Sequence, residues 1–186
     1  MSEFLIRPIE KDDLHDEYYE LLGQLTLVDS SSMSLEKSMQ ILEKQSEDHK
    51  IYVIECKETG AIVGSGTLFV ESKFIRNYGK VGHIEDIVIC HKQRGSGLGK
   101  LLLSFLTKES KKQGCYKCIL DCSEENVKFY EKCSYVKKGI QMGENKKTVV
   151  PIEVFFFETT HFRVHFVQNK HLCHILRLHH VNILRR

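Results

Sequence analysis

The sequence predicts an α+β fold, a mixed and mostly antiparallel central sheet flanked by helices. Three observations predict it. Short runs rich in β-branched residues, such as 51–55 and 83–90, alternate with stretches of helical period. The central strands follow one another as a meander, and helical stretches stand before and after them. A chain of 186 residues with 41% hydrophobic composition is long enough to bury one substantial core.

Phe4 to Pro8 reads as a first strand stopped by proline, after which Asp12 or Asp13 caps a helix running to about Leu22. Ser34 caps a second helix in which Leu35, Met39 and Leu42 recur at i, i+4 and i+7. Residues 51–55 form a strand, Lys57 to Gly60 a hairpin turn, and Ala61 to Glu71 the antiparallel partner. A polar loop, Ser72 to Gly82, leads into the strand His83 to Cys90. The turn Gln93 to Gly99 follows it. Leu101 to Lys112 is the best helix of the chain, with Leu102, Phe105 and Leu106 on one face and Gly114 as its stop. Cys115 to Cys122 reads as a strand, Ser123 caps a helix over Asn126 to Cys133, and Tyr135 to Met142 closes the sheet. Residues 1–142 thus make one domain, and 143–186 an atypical C-terminal tail.

Charge and composition exclude several classes. With 27 basic against 25 acidic residues, the net charge of +2 sets up no global field for nucleic acid or an anionic bilayer. No run approaches the roughly 18 apolar residues of a membrane span, and the N-terminus lacks the regions of a secretory signal. Seven cysteines, an odd number, sit largely inside strand-like and helix-like runs. Reduced thiols and a cytoplasmic location are expected. The tail carries six of the ten histidines, at positions 161, 165, 171, 174, 179 and 180. It offers no scaffold for a third and fourth ligand, and Cys115, Cys118 and Cys122 lack a second Cys-x-x-Cys, so no metal is expected.

The chemistry lies in the turn Arg94-Gly95-Ser96-Gly97-Leu98-Gly99. Three glycines between a strand and a helix let backbone amides crowd towards an anion, and the positive end of the helix dipole, Arg94 and Lys100 reinforce the attraction. A Walker A loop fails on these residues, because Arg94 stands where its first glycine belongs and Leu101 where its hydroxyl belongs. A dinucleotide fingerprint fails too, its third glycine coming one residue early.

What does match is Arg-x-x-Gly-x-Gly, which resembles the coenzyme A pyrophosphate loop of the GNAT acetyltransferase superfamily. Leu22 to Thr26, Lys73 to Ile75, Gly82 to Val88, Gly97 to Leu102 and Cys115 to Lys117, together with the strand and helix of 116–133, resemble the glucosamine 6-phosphate N-acetyltransferases within it. The resemblance spans residues 4–142. It implies acetyl transfer from acetyl-CoA, the co-substrate, to the amine of glucosamine 6-phosphate in UDP-N-acetylglucosamine biosynthesis. Transfer would be direct within a ternary complex, and the enzyme a homodimer.

By that resemblance the amides of Gly95, Ser96, Gly97, Leu98, Gly99 and Lys100, with Arg94, hold the pyrophosphate, and the backbone of Ile87, Val88 and Ile89 pairs with the pantetheine arm. Tyr130 donates a proton to the departing sulfur, and Asn126 shares its helical face near the cofactor. Glu85 and Asp86, adjacent in an apolar strand, point to opposite faces, so at least one faces inward; the resemblance assigns them to the sugar's amine and hydroxyls. Asp121 positions the amine or the cofactor end. Thr26, Lys73, Phe74, Ile75, Arg76, Ile87, Tyr116 and Lys117 fall on the remaining substrate contacts, the lysines facing the phosphate.

Two departures are visible. Arg76 stands where the look-alikes commonly show His, and beyond Met142 the substrate-binding Arg of their last strand is missing, with Lys146 or Lys147 a poor geometric substitute. Two other readings therefore stay open: a GNAT enzyme for another amine or a peptide lysine, and an inactive acyl-CoA-binding isoform.

Overall fold

The computed structural model describes residues 3–28 and 32–143. The chain divides between Gln141 and Met142, and the expectations for the tail, its histidines and Lys146 and Lys147 lie outside the described residues.

Five strands form one sheet in the order of the chain: β1 Phe4–Pro8, β2 His49–Cys56, β3 Ile62–Ser72, β4 Lys80–Ile89 and β5 Cys115–Ile119. The first three pairings are antiparallel and β4 with β5 is parallel. Parallel neighbours need a crossover, here the helix α4. The helices are α1 Asp16–Leu22, α2 Leu35–Glu43, the single turn α3 Ile75–Tyr78, α4 Leu98–Lys112 and α5 Val127–Glu131.

Successive residues of β3 point to opposite faces and so recruit different helices. Gly66 lies under Leu102 and Leu106 of α4, whereas the Tyr18 hydroxyl of α1 meets Ser65 Oγ at 3.2 Å. One core cluster, with Ile54, Leu68, Ile84, Leu102, Leu103 and Leu106 fully buried, lies beneath α4. A second, around Ile9, Tyr18, Leu21, Val53 and Val88, lies on the α1 side. Each buried leucine of α4 contributes about 2–3 kcal/mol. Gly82 of β4 packs against Ser110 near the end of α4, and a Cβ there would collide with the Ser110 hydroxyl.

Several local readings are corrected. Asp12 and Asp13 do not cap α1: they sit in a 3-10 turn, Lys11–Asp13, and α1 starts at Asp16 behind His15. The Asp13 carboxylate is engaged elsewhere, taking hydrogen bonds from Arg7 Nη1 at 2.7 Å, Arg7 Nη2 at 2.8 Å and the Glu10 amide at 2.7 Å. Ser34 does cap α2, accepting from the Lys37 amide at 3.2 Å. The loop after β3 contains α3, and β4 begins at Lys80, three residues earlier than expected. Helix α4 starts at Leu98, not Leu101, because Gly97 adopts φ +90° and ends the turn there. The helix expected over Asn126 to Cys133 is the shorter α5, entered through a 3-10 turn at Glu124–Asn126. Strand β5 stops at Ile119, and residues 135–142 form no strand. Val136, Ile140 and Met142 are left exposed.

Candidate active site

The site grows from the place where two parallel strands part. Register between β4 and β5 runs from Lys80↔Cys115 to His83↔Ile119 and goes no further. Three residues on, β4 also breaks step with β3: Ser65 pairs with Val88 but Thr67 with Glu85, so β4 carries one extra residue. This is a β-bulge, with Asp86 at φ +53°. Beyond His83, among the described residues, the β5 side of β4 has no neighbouring strand.

A cavity of about 450 Å³ is lined by this stretch of β4 together with residues from the chain ends around it. Thr26, Glu85, Asp86, Ile87, Asp121, Asn126 and Tyr130, all named from the sequence, line it. Leu25, Ile84, Cys122 and Ser123 line it as well. In the sequence, Leu25, Ile84 and Cys122 were marked only by adjacency to a named residue, and Ser123 only as a helix cap. The Gln24 side chain ties the segment after α1 to the turn after β4, its Oε1 accepting from the His91 amide at 2.8 Å.

The bulge overturns the expected geometry of Glu85 and Asp86. Both line the cavity, open to solvent on one side and, for Glu85, partly desolvated by the cavity wall, because the extra residue breaks the alternation that would have turned one of them away. Burial first, then the charges of Asp121 and Asp86, push the Glu85 carboxyl above its ordinary range, with His83 opposing. Asp121 itself accepts a hydrogen bond from Gln141 Nε2 at 2.8 Å. The half-buried Tyr130 phenol is pushed up by burial, with Cys122 and Cys133 adding to the effect. A phenol so placed keeps its proton at neutral pH.

The glycine turn lies between the end of β4 and α4, and none of its residues lines the cavity. Gly95 and Gly97 have φ of +84° and +90°, a region that L-residues with side chains enter only under strain. Ser96 Oγ donates to the Gln93 carbonyl at 2.6 Å, and the first intrahelical bond of α4 is Leu101 N–H to the Gly97 carbonyl. The amides of Leu98, Gly99 and Lys100 thus stand at the open N-terminus of a 15-residue helix. Gly99 also lets Phe129 of α5 approach, since a Cβ would meet its ring at 3.2 Å. Arg94 Nε donates to the Ile89 carbonyl at 3.2 Å, so that carbonyl is already engaged. Val88 is buried and Ile89 half-buried, leaving their backbone as what they can offer a ligand.

Lys73, Phe74, Ile75, Arg76, Tyr116 and Lys117 do not line the cavity. They gather at the start of β4 and β5. Arg76, Asn77 and Tyr78 hold three consecutive positive φ values in α3, and Tyr116 packs where a Gly79 Cβ would lie. Lys73 Nζ is paired with Glu71 at 2.6 Å, and Lys117 Nζ lies 5.9 Å from the centre of the Tyr116 ring. Among the described residues, no three His, Cys, Asp or Glu side chains gather as a metal site, and no helix is long and apolar enough to cross a membrane.

A strand parting from its neighbour beside a glycine turn and a helix N-terminus defines a class of protein. The chain belongs to the acetyltransferase (GNAT) family, whose model matches residues 12–135. Within that class it is 44% identical over 142 residues to glucosamine 6-phosphate N-acetyltransferase of Arabidopsis thaliana, covering 76% of this chain and 95% of the relative. It is 45% identical over 137 residues to glucosamine 6-phosphate N-acetyltransferase 1 of Dictyostelium discoideum, covering 74% and 87%. The crystal structure of the Arabidopsis thaliana enzyme superposes with a TM-score of 0.69 at 42% identity, covering 77% of this chain and 98% of that one.

Proposed function

We infer that the chain transfers the acetyl group of acetyl-CoA to the amine of D-glucosamine 6-phosphate, giving N-acetyl-D-glucosamine 6-phosphate and CoA. One observation carries the reading: a cavity lined by Glu85, Asp86, Asp121 and Tyr130 opens where β4 loses its β5 partner. Carboxylates suit an aminated, hydroxylated acceptor, and a phenol suits a leaving thiolate.

Acetyl-CoA supplies the activated acyl group. Its diphosphate suits the amides of Leu98, Gly99 and Lys100 with Arg94 nearby, and its pantetheine amides suit the backbone of β4 around Ile87 and Val88, on the side away from β3, in the manner of an added strand. Glu85, whose raised carboxyl is the better proton acceptor, takes a proton from the substrate ammonium, with Asp121 and Asp86 holding the amine. The free amine attacks the thioester carbonyl, a C–N bond forms, and the C–S bond breaks as Tyr130 protonates sulfur. The second amine proton restores the phenol, so one proton is released per turnover.

None of the described residues lining the cavity is Lys or Arg. The sugar phosphate therefore points along β4 towards Lys73 and Lys117. A homodimer suits the exposed Phe74, Ile75, Tyr78 and Tyr116 around the edge strand β5, because such a group rarely stays in water. The six described cysteines are free thiols, which suits the cytoplasm.

Thiol release from acetyl-CoA, measured with glucosamine 6-phosphate, unphosphorylated glucosamine and a lysine peptide, tests the reading. Turnover that is fastest with the sugar phosphate is expected. Preference for the peptide, or cofactor binding without any turnover, counts against it.

A further inference from the structure

Outside the cavity, Lys73 belongs to an ionic cluster whose other members, Glu71 and His83, the mechanism does not use. Glu71 Oε2 accepts from Lys73 Nζ at 2.6 Å and meets His83 Nε2 at 3.1 Å. The ammonium and the imidazole therefore reach the same oxygen atom. Hydrogen bonds from Lys73 and then His83 hold the Glu71 carboxyl below its ordinary range, as an ionised clasp between them. The imidazole also packs on the Phe69 ring, 5.8 Å between centres, and Phe69 in turn meets His49 at 6.0 Å. The ring is thus fixed from two sides.

Register places this cluster next to the acceptor carboxylate. Phe69 pairs with His83 and Thr67 with Glu85, so His83 and Glu85 stand two residues apart on one face of β4. That is about 7 Å along a strand. The distance is comparable with the reach of a hexose from its 2-amine to its 6-phosphate. Towards β5, His83 pairs with Ile119, and Lys117 pairs with Val81 two positions back. The charged groups around the imidazole are therefore Glu71 and Lys73 from the β3 side, Glu85 on its own strand and Lys117 on β5.

We propose that His83 is a further binding residue for the phosphate of the sugar substrate, a second cation beside Lys73, with Glu71 positioning both. The proposal rests on the substrate reading above and deepens it. With Nε2 on Glu71, Nδ1 is the ring nitrogen left to face a ligand. With the imidazole protonated, one carboxylate between it and the Lys73 ammonium leaves one excess positive charge, which attracts a phosphate dianion. A contact of this kind is stronger when the ring carries its second proton.

The test follows the His83 ring by NMR, its signal assigned by its loss in His83→Asn, while inorganic phosphate is added. In parallel, KM for glucosamine 6-phosphate is compared between wild type and His83→Asn at about pH 6.5 and about pH 8.5. A phosphate-dependent shift of the ring signal is expected, with KM about 10- to 30-fold higher in the variant at the lower pH. The difference should shrink at the higher pH, and KM for acetyl-CoA should not move. Taking the ratio of the two proteins cancels the titration of the phosphate itself. His83→Gln, whose longer amide can keep the contact with Glu71, provides a second folded variant, with a smaller loss than His83→Asn. A ring signal indifferent to phosphate, or a KM ratio equal at both pH values, overturns the proposal. A ring that answers phosphate in a protein that does not acetylate the sugar phosphate supports this anion site and overturns the substrate reading instead.

Discussion

Glu85 of β4 and Tyr130 of α5 line one cavity, and burial moves the carboxyl and the phenol in the same direction, upward. The same shift fits them for opposite tasks. A carboxyl with a raised value accepts a proton more readily, whereas a phenol with a raised value retains its own until a stronger base forms beside it. A thioester losing its thiolate to an amine needs one group of each kind.

Tyr130→Phe should lower kcat about 100- to 1000-fold, the usual contribution of a positioned proton donor. The ring stays packed against Phe129 and Tyr135, 5.0 and 6.3 Å away, so affinity for acetyl-CoA should hold within about twofold. Steady-state thiol release and calorimetric titration of the cofactor check the two halves. A full-speed variant would remove the phenol from the chemistry.

Glu85→Gln should abolish the acid limb of the pH–rate profile and slow turnover at neutral pH. Stability should move the other way. The folded carboxyl lies above the unfolded value of about 4.3, so ionising it costs the folded state stability. That cost is absent below the unfolded value and complete above the folded one. The variant should therefore melt higher at neutral pH, with the gain fading as pH falls towards 4, which a series of thermal melts measures.

Gly97→Val should raise KM for acetyl-CoA at least tenfold. No atom crowds a Cβ at that position, so the disturbance comes from φ +90° alone. Forcing a side chain there costs about 1–3 kcal/mol and turns amides away from the diphosphate. Isothermal titration with CoA reads the effect; unchanged affinity would sink the cradle.

Asp13→Asn should cost about 2–4 kcal/mol at neutral pH, because Arg7 loses a two-pronged partner in a largely buried place. Burial alone would raise the Asp13 carboxyl, but the hydrogen bonds from Arg7 and Glu10 and the Arg7 charge outweigh it and hold it low. Its contribution is complete above the unfolded value of about 3.9 and is lost as pH falls through the lower folded one. Urea melts of both proteins should therefore converge in acid.

The strands were legible because β-branched runs and turn residues write a local code, and α4 because Leu102, Phe105 and Leu106 repeat at helical spacing. Asp13 misled for a physical reason: a cap and a salt bridge ask for the same carboxylate, and its partner Arg7 sits on a strand before it. The bulge at Asp86 leaves no mark in the residues, since it arises from pairing with β3. Without it, Glu85 and Asp86 read as one inward and one outward. The strand expected over 135–142 needed a neighbour, and alternation alone does not supply one. Glu71 and His83 likewise meet only when β3 and β4 are laid in register.

The contact of Gly82 with Ser110 reaches further than its position suggests. Helix α4 is about 22 Å long, and it is seated at its far end by a residue with no side chain. An alanine there would lift that end off the sheet and tip the other, so the open amides beside Gly97 are levelled from the opposite end of a rigid beam.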